Sequence, residues 1–263
     1  MTLNLSIQEN LVPGQDISEK WSLARDAGFD ALELRGGADF SDRLLQLRKA
    51  QQEGAVFSSI CIESDRFIGA FDPERRREAR GIMTGLLRAA GMLGLAGVVT
   101  PAAWGMHSNR LPPFTPPRSP EEDRSVLIEE LAALGAVAAE AGTLVLLEPL
   151  NRYEDHMVNT LERGAELARE AGDHVKVLAD SYHMNIEETS PLDALRELAQ
   201  SGKLGHVHLS DSNRHQPGAG HIDFRAMLKL LADCGYSGHC AIECRLKGEP
   251  LAAISETARF LRG

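Results

Sequence analysis

Short apolar runs alternate along this chain with longer stretches in which apolar side chains return every three or four positions. The runs at 3–7, 31–34, 55–62, 97–100, 143–148, 175–180, 205–209 and 239–243 have the length and residue types of strands. The stretch 143–148 is almost continuously apolar, as a strand covered on both faces should be. Between the runs, helical spacing appears at 17–27, 41–52, 73–93, 121–141, 160–171, 191–200, 223–234 and 250–261. In 41–52, Ser41 is the expected N-cap, with Leu44, Leu45 and Leu47 turned inward. In 121–141, Leu127, Leu131, Leu134, Val137 and Ala138 share one face.

Eight strand–helix units in this length predict an α/β fold of the (β/α)8 barrel type, a single domain over 1–263. Helical crossovers between successive strands imply parallel pairing. The main competitor, a doubly wound open sheet, lacks a GxGxxG turn after the first strand. The rhythm breaks only at 102–120, where Pro112, Pro113, Pro116, Pro117 and Pro120 preclude a regular element. A loop of that length in a compact domain is expected to cover or bind something. Trp104 and His107 at its start read either as an apolar wall over a substrate or as a tryptophan tucked beneath the loop.

Composition then narrows the partners. A hydrophobic share of 43% over 263 residues is enough for a large core, and a formal charge of −10 argues against nucleic acid or an anionic membrane surface. No apolar run has membrane-spanning length, and MTLNLSIQEN has neither a basic start nor an apolar signal core. Cys61, Cys234, Cys240 and Cys244 form no CxxC pair, which suits reduced cysteines and a cytoplasmic location.

Chemistry gathers where strands end. Glu148, Asp180, His208 and Glu243 close the apolar runs at 143–148, 175–180, 205–209 and 239–243. In an eightfold barrel such positions converge on one mouth, where the active site lies. Three carboxylates and one imidazole form a hard, oxygen-rich set, better suited to Mn²⁺ or Mg²⁺ than to a structural zinc. Other candidates carry plainer readings beside them. His206 shares a strand face with His208 one layer below and is expected to be a hydrogen-bonded barrel histidine. Glu33 points into the barrel or pairs with an arginine, and His183 is a site residue or a loop histidine without a role. Arg75, Arg76, Arg77 and Arg80 read as a solvated helix face, and Cys240 and Cys244 as small packing residues.

The pieces LEPLNRYE (147–154), DSYHMNIEE (180–188), HVHLSDSNRHQPGAGHIDF (206–224) and AIEC (241–244) resemble the xylose-isomerase-like TIM-barrel superfamily of sugar isomerases and epimerases. They most resemble its D-tagatose 3-epimerase / D-psicose 3-epimerase group. The likeness runs in order through the C-terminal half; in the N-terminal half only GFDALEL (28–34) matches. The resemblance implies a divalent metal, Mn²⁺ first with Mg²⁺ or Co²⁺ as alternatives, bound by Glu148, Asp180, His208 and Glu243. It makes Glu148 and Glu243 the catalytic acid/base pair and assigns sugar binding to Glu154, His183 and Arg214. It also implies a small-molecule sugar substrate and pairing into homodimers or homotetramers.

The residues agree with that chemistry. Inverting a carbon beside a carbonyl requires removal of a proton and its return to the opposite face, through an enediolate stabilised by a metal. Other members of the superfamily keep further readings open: hydroxypyruvate isomerase, sugar-phosphate isomerase and inosose- or dehydroshikimate-type dehydratases. An apurinic endonuclease would need a basic groove and more histidines, and a sugar-binding barrel is the non-enzyme reading. Arg214 and the loop 217–220 would clamp a phosphate or meet a hydroxyl; the resemblance favours the hydroxyl.

Overall fold

Residues 3–105 and 116–263 are described by the computed structural model. Eight parallel strands close into a barrel in chain order: β1 (Asn4–Gln8), β2 (Ala31–Gly36), β3 (Phe57–Ile62), β4 (Gly97–Pro101), β5 (Leu144–Glu148), β6 (Val175–Asp180), β7 (Leu204–Leu209) and β8 (His239–Ile242). The ring closes through Asn4 opposite His239 and Ile7 opposite Ile242. Around it lie the helices α1 (Ile17–Ala27), α2 (Leu44–Gln52), α3 (Pro73–Leu93), α4 (Pro120–Ala141), α5 (Leu161–Ala171), α6 (Ser181–Glu187), α7 (Pro191–Gln200), α8 (Phe224–Asp233) and α9 (Pro250–Arg262). The chain is thus a single-domain TIM barrel. Among the described residues no helix is long and apolar enough to cross a membrane.

Local chemistry sets the helix ends. Asp72 caps α3 ahead of Pro73, and Ser119 and Glu122 close a reciprocal capping box on α4. Gly28, Gly94 and Gly142 end α1, α3 and α4 in the left-handed conformation. Where α3 crosses α4, a Cβ on Gly91 would stand 2.2 Å from the carbonyl oxygen of Ala141, so only glycine permits that approach.

Alternation along the strands separates two cores. Outward residues such as Ile7, Leu34, Ile60, Val145 and Ile254 of α9 belong to the large shell between barrel and helices. Inside, Cys61, Val99, Leu146 and Leu178 form a small plug. Because side chains repeat every two residues, Glu148 and Asp180 also point inward, one layer above Leu146 and Leu178. The apolar plug therefore floors the site.

Most element bounds agree with the sequence reading, and three details are corrected. A 3-10 turn at Phe40–Arg43 precedes α2, so Ser41 lies inside that turn instead of capping the helix. Leu47 is buried and Leu44 half-buried, but Leu45 is 83% exposed. The arginine face of α3 is only partly solvated: Arg80 binds buried Glu130 of α4 at 2.7 and 2.8 Å, and Arg76 donates to the carbonyl of Ala70 at 2.7 Å. An unforeseen helix, α6, starts directly after β6. His107, Pro112 and Pro113 lie outside the described residues.

Candidate active site

Glu148 and Asp180 are the last residues of β5 and β6, His208 is the penultimate residue of β7, and Glu243 directly follows β8. One donor atom from each of the four lies within 4.8 Å of the others. Nδ1 of His208 stands 2.7 Å from Glu243, 3.5 Å from Glu148 and 3.9 Å from Asp180. Asp180 is oriented by its second duty: its Oδ1 caps α6 by accepting from the amides of Tyr182 and His183 at 2.7 and 3.2 Å. Oδ2 then faces His208.

The donor set fits a divalent cation on two grounds. Oε1 of Glu148 is buried, faces the cluster and has no hydrogen-bond partner among the described residues, and Nδ1 of His208 faces only carboxylates. Without a cation the acids also resist shared ionisation. Burial, then the charge of Glu243, raises Glu148 to about 6. Burial, then the charge of Glu148, raises Asp180 to about 8. Burial acts on Glu243 too, but the charge and hydrogen bond of His208 outweigh it and hold that carboxyl at about 2. A cation among them would relieve the repulsion and give the buried Glu148 oxygen a partner.

Glu33 settles on one of its open readings: it points into the barrel, fully buried, with no arginine bonded to it among the described residues. It receives hydrogen bonds from His206 at 2.8 Å, His208 at 2.9 Å, Ser59 at 2.8 Å and Gln8 at 3.1 Å. Burial opposes its ionisation, but the charge of His208 and the two histidine hydrogen bonds hold it well below the usual carboxylate range.

A second group surrounds the mouth. Glu154 accepts from Asn151 at 3.0 Å and from Trp104 Nε1 at 2.9 Å, and it pairs with Arg214. Arg214 stacks on the ring of Tyr182 at 4.8 Å. It is also, among the described residues, the non-glycine residue with a positive φ, at 61°. Such a conformation costs about 1–2 kcal/mol in a non-glycine residue, so the loop holds this arginine in place at an energetic cost. His183 is buried, and its Nδ1 accepts the amide of Asn151 at 3.0 Å. The ring proton therefore sits on Nε2. Burial, then the charge of Arg214, lowers His183 to about 4, so it is neutral at pH 7.

Of these residues Glu148, Glu243, His183, Arg214 and Trp104 line a cavity of about 520 Å³ that also reaches Phe67 and Arg35. All seven residues singled out from the sequence belong to this one region. The sequence reading missed Gln8 and Arg35. Gln8 ends β1 and had the same strand-end signal as the acids. Arg35, beside Glu243 at 4.0 Å, had no signal beyond its place near the end of β2. Trp104 takes the cavity-wall reading, half exposed and held by Glu154.

Comparison with known proteins agrees with this geometry. The family model described as xylose isomerase-like TIM barrel matches residues 21–263. The 3-dehydro-D-guloside 4-epimerase of Escherichia coli (strain K12) is 39% identical over 251 residues, covering 94% of this chain and 95% of that protein. A D-psicose 3-epimerase of Enterocloster bolteae is 31% identical over 232 residues, covering 82% and 72%. The apo crystal structure of a 3-keto-D-glucoside 4-epimerase from E. coli superposes with a TM-score of 0.94 at 37% identity, with 99% of each chain covered. The chain belongs to the xylose isomerase-like TIM-barrel family, and the relatives named above are sugar epimerases, which are isomerases acting on carbohydrates.

Proposed function

We propose that this protein is a divalent-metal-dependent sugar epimerase that inverts a hydroxyl-bearing carbon next to a ketone. The observation that carries the reading is the cluster of Glu148, Asp180, His208 and Glu243, with donor atoms within 4.8 Å, beside a cavity walled in part by His183 and by Arg214, which pairs with Glu154. The relatives' names describe one local reaction. A 3-dehydro sugar inverted at C4 and a 2-ketose inverted at C3 both change the carbon beside the carbonyl. The 39% identity over nearly the whole chain favours a 3-dehydro sugar or glycoside first, and a free ketose inverted at C3 second.

A cation held by Glu148, Asp180, His208 and Glu243, Mn²⁺ first for so hard a donor set, would polarise the ketone and make the neighbouring C–H more acidic. The protein's own groups do the rest. Glu243 serves as base for one epimer, and Glu148 returns the proton from the other side. In the reverse direction the roles exchange. His183 offers Nε2–H and Arg214 its guanidinium to substrate hydroxyls, while Glu154 holds Arg214 in position. Plug residues Leu146 and Leu178 keep water out from below.

The substrate is unphosphorylated. Backbone amides that could cradle a phosphate after β7 already serve Asp211, whose carboxylate accepts from Ser212 at 2.8 Å, Gly218 at 2.9 Å and Ile222 at 3.2 Å. Incubation with Mn²⁺ in D₂O, with 3-dehydro glycosides and a panel of ketoses, should place deuterium on the carbon beside the ketone of one class. No incorporation in any of them would sink the reading.

A further inference from the structure

The four donors all come from β5 to β8, yet their orientation depends on the opposite half of the barrel. Glu33 of β2 lies beneath them, fully buried, and its two oxygens take four hydrogen bonds. A carboxylate offers about four acceptor sites, so this one is saturated. It is an acceptor only, hence each group facing it must donate. Nε2 of His208, 2.9 and 3.1 Å from its two oxygens, therefore carries the hydrogen. A neutral His208 then has its lone pair on Nδ1, the atom that faces Glu148, Asp180 and Glu243.

A second arm runs through Gln8. Its Nε2 donates to Glu33 at 3.1 Å and to Oε1 of Glu243 at 3.0 Å, while its Oε1 accepts from Arg35 at 3.4 Å. With carboxylates on one side and a guanidinium on the other, the amide has only one consistent orientation. Glu243 is thereby turned so that Oε2 meets His208.

We propose that Glu33 is a positioning residue for the metal-binding set: it fixes the tautomer of His208 directly and braces Glu243 through Gln8. This rests on the metal reading above and adds to it residues of the N-terminal half that touch neither metal nor sugar. A partner of this kind typically governs metal affinity by 10–100-fold. Glu33→Gln keeps the shape but puts an amide N–H₂ among four donors. Relief comes if His208 accepts at Nε2 and carries its proton on Nδ1, the wrong tautomer for binding.

Calorimetric titration of metal-stripped protein with Mn²⁺ tests the proposal. Glu33→Gln is expected to bind about 10–100-fold more weakly than wild type. Ser59→Ala, which removes a donor to Glu33 but leaves the His208 bond, is expected to stay near the wild-type value. Equal affinity of Glu33→Gln and wild type would overturn the proposal, as would equal losses in both variants, which would indicate general disruption. Absence of Mn²⁺ binding by wild type would instead overturn the metal reading. If Glu33→Gln does not fold, NMR of ¹⁵N-histidine wild type loaded with Mg²⁺ decides: a proton on Nε2 of His208 supports the proposal, and one on Nδ1 overturns it.

Discussion

Lowering the pH from 8 to 6 should strip a divalent cation from this protein in a way the cluster's geometry dictates. In the metal-free protein Asp180 titrates at about 8 and Glu148 at about 6. For His208 burial lowers the value, but Glu33 and Glu243 outweigh it and hold the ring well above its ordinary value, so it is an imidazolium at neutral pH. A cation needs a carboxylate at Asp180 and a free Nδ1 at His208, so binding at pH 7 expels one to two protons. Each proton makes affinity fall about tenfold, or ~1.4 kcal/mol, per pH unit. From pH 8 to 6 the loss is therefore about 10²- to 10⁴-fold. Stability should follow with a definite sign. Folded Asp180 and Glu148 bind protons more tightly than ordinary carboxylates, so between about pH 4 and 8 the metal-free folded state holds more protons than the unfolded chain. On these two groups' account its stability falls as pH rises through that window, while the cation's stabilisation grows. Titrating Mn²⁺ in buffers of different ionisation enthalpy counts the protons directly, and melting with and without Mn²⁺ reads the stability. Zero proton release and a Tm increment unchanged from pH 6 to 8 would refute the reasoning.

Two further substitutions separate binding from folding. Trp104→Phe keeps an aromatic wall over the cavity but deletes the 2.9 Å hydrogen bond to Glu154, the residue that holds Arg214. About 1 kcal/mol is at stake, so KM should rise about fivefold with kcat nearly constant, and a kcat loss with unchanged KM would contradict the positioning assigned to Glu154. Gly220→Ala would put a Cβ 2.3 Å from Asp211 Oδ1 and 2.4 Å from Ser212 Oγ. It should destabilise by about 1–3 kcal/mol in urea denaturation, by disturbing the clasp that replaces a phosphate, and the variant should not gain activity on phosphorylated sugars.

How much of this could be read in the sequence follows from how each residue does its work. β5 and β6 are buried on both faces, so their apolar runs stand out, and an acid closing such a run is conspicuous. The four donors were legible because strand order and strand ends alone bring them together. Leu45 was misread because helical spacing does not reveal that a 3-10 turn resets the entry angle of α2. The helix α6 was missed because SYHMNIE has little apolar periodicity; the side chain of Asp180 starts it by capping the amides of Tyr182 and His183. Arg76 and Arg80 looked solvated because their partner, Glu130, lies on another helix fifty positions away from Arg80. Glu33 and Gln8 were the hardest. Each serves the site only by touching a residue that does the chemistry, across a barrel whose halves are far apart in sequence, |i−j| being 175 for Glu33 with His208 and 235 for Gln8 with Glu243. A motif records residues that meet a ligand at a fixed local spacing; closure of the ring brings these two into contact with the site. The N-terminal half thus offered little to read even though, on the inference above, it decides which nitrogen of His208 is available to a metal.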